Sequence, residues 1–143
     1  MEPETRVVFP NLNDADFIET SQDAVEYNRV AHAAGATDQW WWPSLNSYWP
    51  PGVPREPTLE AFAEALSTLG YEPCDTDVVE TEIEKIAVYA DQHGPQHVAR
   101  QLAGGRWTSK LGRDVDITHV DLNCLEDGAY GKVVLLLKRA RLR

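Results

Sequence analysis

Residues 84–111 read EKIAVYADQHGPQHVARQLAGGRWTSKL, and the way this stretch divides decides the fold. Three runs, EKIAVYAD at 84–91, HVARQL at 97–102 and RWTSKL at 106–111, read as strands. Gly94-Pro95 and Ala103-Gly104-Gly105 punctuate them, and the second gap is short enough for a hairpin turn. KVVLLLKR at 132–139 reads as a closing strand, so the C-terminal part of the chain reads as an antiparallel sheet.

Towards the N-terminus the period changes. TLEAFAEALSTLG at 58–70 predicts a helix, with Thr58 as its cap, Glu60 in the first turn, Leu59, Phe62, Ala63, Leu66 and Leu69 on one apolar stripe, and Gly70 at its end. A second helix is expected around 24–34, closed by Gly35, after the polar, turn-rich NLNDADFIETSQ at 11–22; TRVVF at 5–9 reads as a short edge strand. DITHVDLNCLED at 116–127, with an aspartate cap and apolar residues at 117, 120 and 124, reads as a short helix. Helices first and an antiparallel sheet second is an α+β layout. It is expected as a single domain over 1–143, with a helical and loop part at 1–83 and a sheet part at 84–143.

Between the two helices, ATDQWWWPSLNSYWPPGVPREP at 36–57 holds four of the five tryptophans and five of the nine prolines. Prolines at this density exclude regular helix and interior strand, so the segment is a long loop pinned by aromatic rings. Its tryptophans either cover the core or line a groove, which makes Trp41, Trp42 and Trp49 candidate binding residues.

The net charge of −10 argues against a nucleic-acid or membrane-surface partner, since both need clustered Lys and Arg. The imbalance is uneven: residues 1–84 carry 17 acids against three arginines, and residues 85–143 carry 10 bases against six acids. Attraction between the two parts, with the acidic excess favouring solubility, is the simplest account. The basic end KRARLR reads as a solvated tail, with an RNA contact as the lesser alternative. No basic segment followed by an apolar run opens the chain, the run VVLLL at 133–137 is too short to span a bilayer, and two cysteines give no disulfide framework. A cytoplasmic location is expected; the oligomeric state stays open.

Several chemistries are weighed on the histidines and cysteines. His93 and His97 are four apart, the spacing of helical zinc ligands, but Gly94 and Pro95 between them rule out a helical turn, and no metal or other cofactor is expected. Glycines 104 and 105 sit between two strands and do not open a helix, so no phosphate-binding loop is read there. His97 is the better candidate. It opens a strand on which His97, Ala99 and Gln101 share a face, opposite a strand that offers Thr108, Ser109 and Lys110. A strand histidine facing a helix N-terminus from elsewhere in the chain is the base half of a thiol-hydrolase arrangement, in which the helix end favours the thiolate and the imidazole takes its proton. Ser109, Asp114, Asp116 and His119 are the groups considered for orienting His97, because a one-residue change of hairpin register exchanges the two faces.

The strings YN-x-V-A-x-A at 27–33, WWWP, YWPPGVPRE, GYEPC, EKIAVYAD, HVARQL-x-x-G-x-WTSKLG-x-x-x-DITH and YG-x-VV resemble an uncharacterised bacterial domain family over nearly the whole chain. Members of that family typically read Y-N-C-I-A-W-A at the first motif and H-A-A-R-Q at the histidine strand. A cysteine at a helix start followed by a histidine on a strand is similar to papain-like hydrolases of the NlpC/P60 type, and this resemblance implies a papain-like order of elements. The present chain departs where it matters: Arg29 stands in the cysteine slot and His32 in the tryptophan slot. A guanidinium is no nucleophile, and a cation next to Asn28 at a helix start is opposed by about 0.3–1 kcal/mol of dipole energy, an effect that pairing with Asp23 or Glu26 offsets. The resemblance therefore implies a degenerate site, with His97 and Ser109 remaining around Arg29. Such a pseudoenzyme would bind a peptide or protein, its carboxylate meeting Arg29, with Lys110 beside Ser109 as a supporting group and Asn28, Trp41, Trp42, Trp49 and Trp107 as further binding residues. Two alternatives are an active hydrolase or acyltransferase using Cys74 or Cys124, and an acidic, immunity-type interaction protein.

Overall fold

Strand alternation in 83–101 sends two sets of side chains to opposite faces, and both faces are covered. In the computed structural model, residues 9–11, 17–21, 49–110 and 116–140 are described. They form strands β1 (Phe17–Ser21), β2 (Glu72–Pro73), β3 (Ile83–Asp91), β4 (Gly94–Gln101), β5 (Trp107–Lys110), β6 (Asp116–His119) and β7 (Lys132–Ala140), and one α-helix, α1 (Leu59–Ser67). All strands join one seven-stranded sheet in the order β1-β6-β5-β4-β3-β7-β2, and every pairing is antiparallel.

This overturns the α+β, papain-like expectation. Among the described residues the architecture is mostly antiparallel sheet with a single short helix. Nor is the sheet confined to 84–143, because β1 and β2 come from the N-terminal part and pair with β6 and β7. FIETS at 17–21, expected as turn-rich chain, is an edge strand in register with β6 (Phe17↔His119, Ile18↔Thr118). DITH at 116–119 is a strand too, because its partner β5 supplies a ladder that an isolated four-residue helical turn cannot match. The aspartate cap exists, but it is Asp121, whose carboxylate accepts from Cys124 N–H at the start of a 3₁₀ turn over Leu122–Leu125. The expected helix at 24–34 and most of the expected strand at 5–9 lie outside the described residues.

The helix at 59–67 forms as its sequence predicts. Thr58 Oγ1 accepts from Ala61 N–H, a cap that contributes about 1 kcal/mol. Phe62 and Leu66, fully buried, lie with Ala61 and Ala65 against Ile86, Val88, Val98 and Leu137 of the sheet. Burial of each large side chain contributes about 2–3 kcal/mol. Trp49 joins this layer, its ring 5.2 Å from Phe62 and its Nε1–H donating to Pro54 O. At the other end of the helix, Arg139 donates to Leu69 O and lies over the Tyr71 ring, tying β7 to the helix exit.

The opposite face carries a second core of Phe9, Ala87, Tyr89, Ala99, Trp107, Ile117, Leu122, Cys124, Leu125 and Tyr130. Among the described residues the outer side of β7 is covered in pieces. On the outer side of β7, β2 pairs only with Leu137 and Lys138, and Cys74 N–H adds a bond to Leu136 O. Further along, Val133 N–H is taken by the Glu126 carboxylate, and a register shift leaves Val134 as a bulge.

Candidate functional site

His97, Ser109 and His119 come from three neighbouring strands, and the pleat sends all three to the face of the second core. The registers Ala87↔Ala99, Gln101↔Trp107 and Trp107↔His119 require this, since side chains alternate strictly along each strand. His97 Nε2 lies 2.9 Å from Ser109 Oγ, Ser109 Oγ lies 2.8 Å from His119 Nε2, and His119 Nδ1 lies 2.8 Å from the Asp121 carbonyl oxygen. A carbonyl only accepts, so Nδ1 of His119 carries the proton and its Nε2 is the acceptor. Ser109 must then donate to His119 and accept from Nε2–H of His97. The chain of bonds has one direction.

All three side chains are buried, with residue exposures of 0 %. Burial pushes the His119 imidazole down to about 4, against the smaller upward pull of Asp121, so it is neutral near pH 7. The His97 ring stacks on Tyr130 at 4.2 Å with 4° between planes, and Tyr89, whose hydroxyl donates to Leu122 O, tilts against it at 5.4 Å. Asp121 continues the network, because its Oδ1 accepts from both N–H and Sγ of Cys124. Hydrogen bonds thus link His97 to Cys124 through Ser109, His119 and Asp121.

A second polar assembly lies at the other end of the same face. The Lys85 ammonium, fully buried, donates to Thr76 O and Val78 O at 2.8 Å each and meets Glu80 Oε2 at 2.6 Å. Gln101 Nε2 takes the intervening carbonyl, Asp77 O, at 2.7 Å. Three successive carbonyls of one loop are therefore held by side chains from β3 and β4. A cavity of about 360 Å³ lies beside this loop, with Asp77, Asp121 and Glu126 among its acids and Leu122, Val133 and Leu136 as its aliphatic wall.

The structure brings the expected pair His97 and Ser109 together and separates others. Trp107 is in the second core, beside that pair, whereas Trp49 is on the opposite side of the sheet. Lys110 is buried, and alternation points it away from Ser109. Cys74 follows β2, three strand positions from β4, or roughly 14 Å at ~4.8 Å per strand. Arg29, Asn28, Trp41, Trp42 and Asp114 lie outside the described residues, and so does the side chain of Asp116. Sequence reasoning missed Asp121, Tyr130 and Lys85, and left His119 among several alternatives. Reading DITH as a strand paired with WTSK would have aligned His119 with Trp107 and placed it on the face of Ser109.

Among the described residues no group of three or more His, Cys, Asp or Glu is arranged to hold a metal ion. No helix among them is long and apolar enough to cross a membrane. The family model described as "Domain of unknown function (DUF7689)" matches residues 18–138, from β1 into β7. That span is most of the 143 residues, and the chain belongs to this family. No curated protein and no solved structure matches it significantly.

Proposed function

We propose that this chain is a non-catalytic domain that binds a peptide or protein. The observation that supports this most directly is the burial of the His97–Ser109–His119 chain, in which the serine proton is already committed to an internal acceptor. A nucleophile has to reach a substrate carbon, and a general base has to reach the proton that it removes. At 0 % exposure neither Ser109 nor either histidine meets that condition. Cys124, 2 % exposed, directs its thiol to the Asp121 carboxylate. Arg29, in the slot where the resembled family has cysteine, adds that thiol chemistry is lost from that position too.

On this reading the buried relay is a brace that fixes the face beneath a binding surface. The test is reactivity of the folded chain. A fluorophosphonate and an alkylating agent, applied at pH 7, should leave Ser109 and Cys124 unmodified by mass spectrometry. Labelling of either residue that disappears in His97→Ala would replace this reading with that of a hydrolase.

A further inference from the structure

The loop CDTDVVETE at 74–82 leaves β2 and re-enters the sheet at β3, and it combines two features. Its backbone is anchored from within, through the Lys85 and Gln101 bonds to the carbonyls of residues 76, 77 and 78. Its two valines point outward, Val78 at 63 % exposure and Val79 at 40 %. Apolar side chains on a mobile loop impose an ordering cost on any partner, and on an anchored loop that cost is already met by the fold.

The loop that carries the valines borders two hollows. Asp77 lines the cavity of about 360 Å³ with Asp121 and Glu126, and Val79, Glu80, Glu82 and Ala103 line a second of about 300 Å³. Among the described residues no lysine or arginine lines either hollow. The nearby cations are Lys85, buried beneath the loop, Lys138, which acts on Glu80 from the neighbouring strand, and Arg106, next to the Gly105 over which Val79 packs. An apolar centre with a polar rim is the usual anatomy of a protein-docking site; here the rim is acidic at Asp77, Asp121 and Glu126, whereas Glu80 of the second hollow is already paired with Lys85.

We infer that Val78 and Val79 are the centre of a docking surface for a basic, aliphatic segment of a partner protein. The partner's apolar side chains cover the two valines. Its lysine or arginine stems lie along Leu122, Val133 and Leu136, with the cations at Asp77, Asp121 and Glu126. This rests on the binding role proposed above and adds the surface and the partner's chemistry.

The experiment is fluorescence anisotropy of the whole chain with a labelled ten-residue peptide of alternating lysine and leucine, beside the same peptide with every lysine acetylated. The expected result is binding of the first peptide, at least about tenfold weaker binding of the second, and a similar loss in the Val78→Ser/Val79→Ser variant. Ile18→Ser, which alters an equally exposed apolar residue on another edge, leaves the affinity unchanged. Equal affinity of wild type and the valine variant overturns the inference, because charge attraction alone would then account for binding. No binding of the lysine–leucine peptide overturns it as well. A random-peptide display selection separates the two levels: peptides captured equally well by wild type and the valine variant leave the binding role standing and remove this surface, whereas no capture of any peptide removes both.

Discussion

The Ser109 hydroxyl gives its only proton to Nε2 of His119 across 2.8 Å, and this one bond sets the tautomers of two histidines. His119 keeps its own proton on Nδ1 for the Asp121 carbonyl, and His97 must carry one on Nε2 to serve the serine oxygen.

Ser109→Ala removes a donor and an acceptor at once. Two buried imidazole nitrogens then lose their partner, at about 1–3 kcal/mol each, so a total loss of about 3 kcal/mol is expected in urea unfolding. The neighbouring Ile117→Val, which removes one buried methylene, should cost about 1 kcal/mol. Nitrogen-15 spectra of the imidazoles provide the direct check: protonation of His119 on Nε2 in the wild type would reverse the assigned direction.

The lowered His119 value makes stability depend on pH in a defined window. The unfolded chain binds a proton near pH 6.5 and the folded chain only near 4, so between these values the unfolded state holds more protons and stability falls as pH falls. The contribution is complete above about 6.5, declines by about 1.4 kcal/mol per pH unit below it, and is gone below about 4, a total of about 3 kcal/mol. Comparing unfolding of wild type with His119→Asn from pH 7.5 to 4 isolates it. Parallel curves would mean that His119 does not carry this dependence.

Lys85→Met keeps a long side chain in the core and deletes the ammonium. Thr76 O and Val78 O lose their donor, and a loss of about 3 kcal/mol is expected, with faster amide exchange over residues 76–80. Unchanged exchange in that loop would show that the lysine is not its anchor.

Gly131→Ala is expected to be among the most damaging single changes. Gly131 has φ 77°, and a Cβ there would lie 2.2 Å from Ala90 O, so the strain of a left-handed residue adds to a backbone clash, for about 3 kcal/mol or more. Gly52, also left-handed at φ 84° but with nothing within 4 Å of its Cβ position, isolates the conformational part; Gly52→Ala should cost about 1 kcal/mol. Equal melting temperatures for the two variants would contradict the clash.

What the sequence disclosed follows the range of the interactions. EKIAVYAD, HVARQL and RWTSKL are hairpin neighbours close in sequence, and they appear in β3, β4 and β5, although β4 begins earlier than expected, at Gly94. The Thr58 cap and the Phe62/Leu66 stripe are local as well, although Ala61 and Ala65 turn inward where Ala63 was expected. FIETS was unreadable as a strand because its partner, β6, is about a hundred residues away and acids surround it. In DITHVDLNC the spacing of Ile117, Val120 and Cys124 satisfies a helical period by coincidence, and that misreading detached His119 from Ser109. The facing of His97 and Ser109 needed only alternation across one hairpin. The Lys85 anchor, which binds main-chain carbonyls, has no side-chain motif to announce it.

The brevity of β2 bears on how copies of this chain behave at high concentration. A nine-residue strand whose outer rim, among the described residues, is paired only near one end would template the addition of another copy's strand, the route to fibrils. Glu126 closes that route at Val133 by occupying its amide, and the kink at Val134 breaks the flat line along which a second strand would zip. One carboxylate and one extra residue therefore act as gatekeepers, and Glu126→Ala should make this rim more self-adhesive, read as faster growth of light scattering at high concentration.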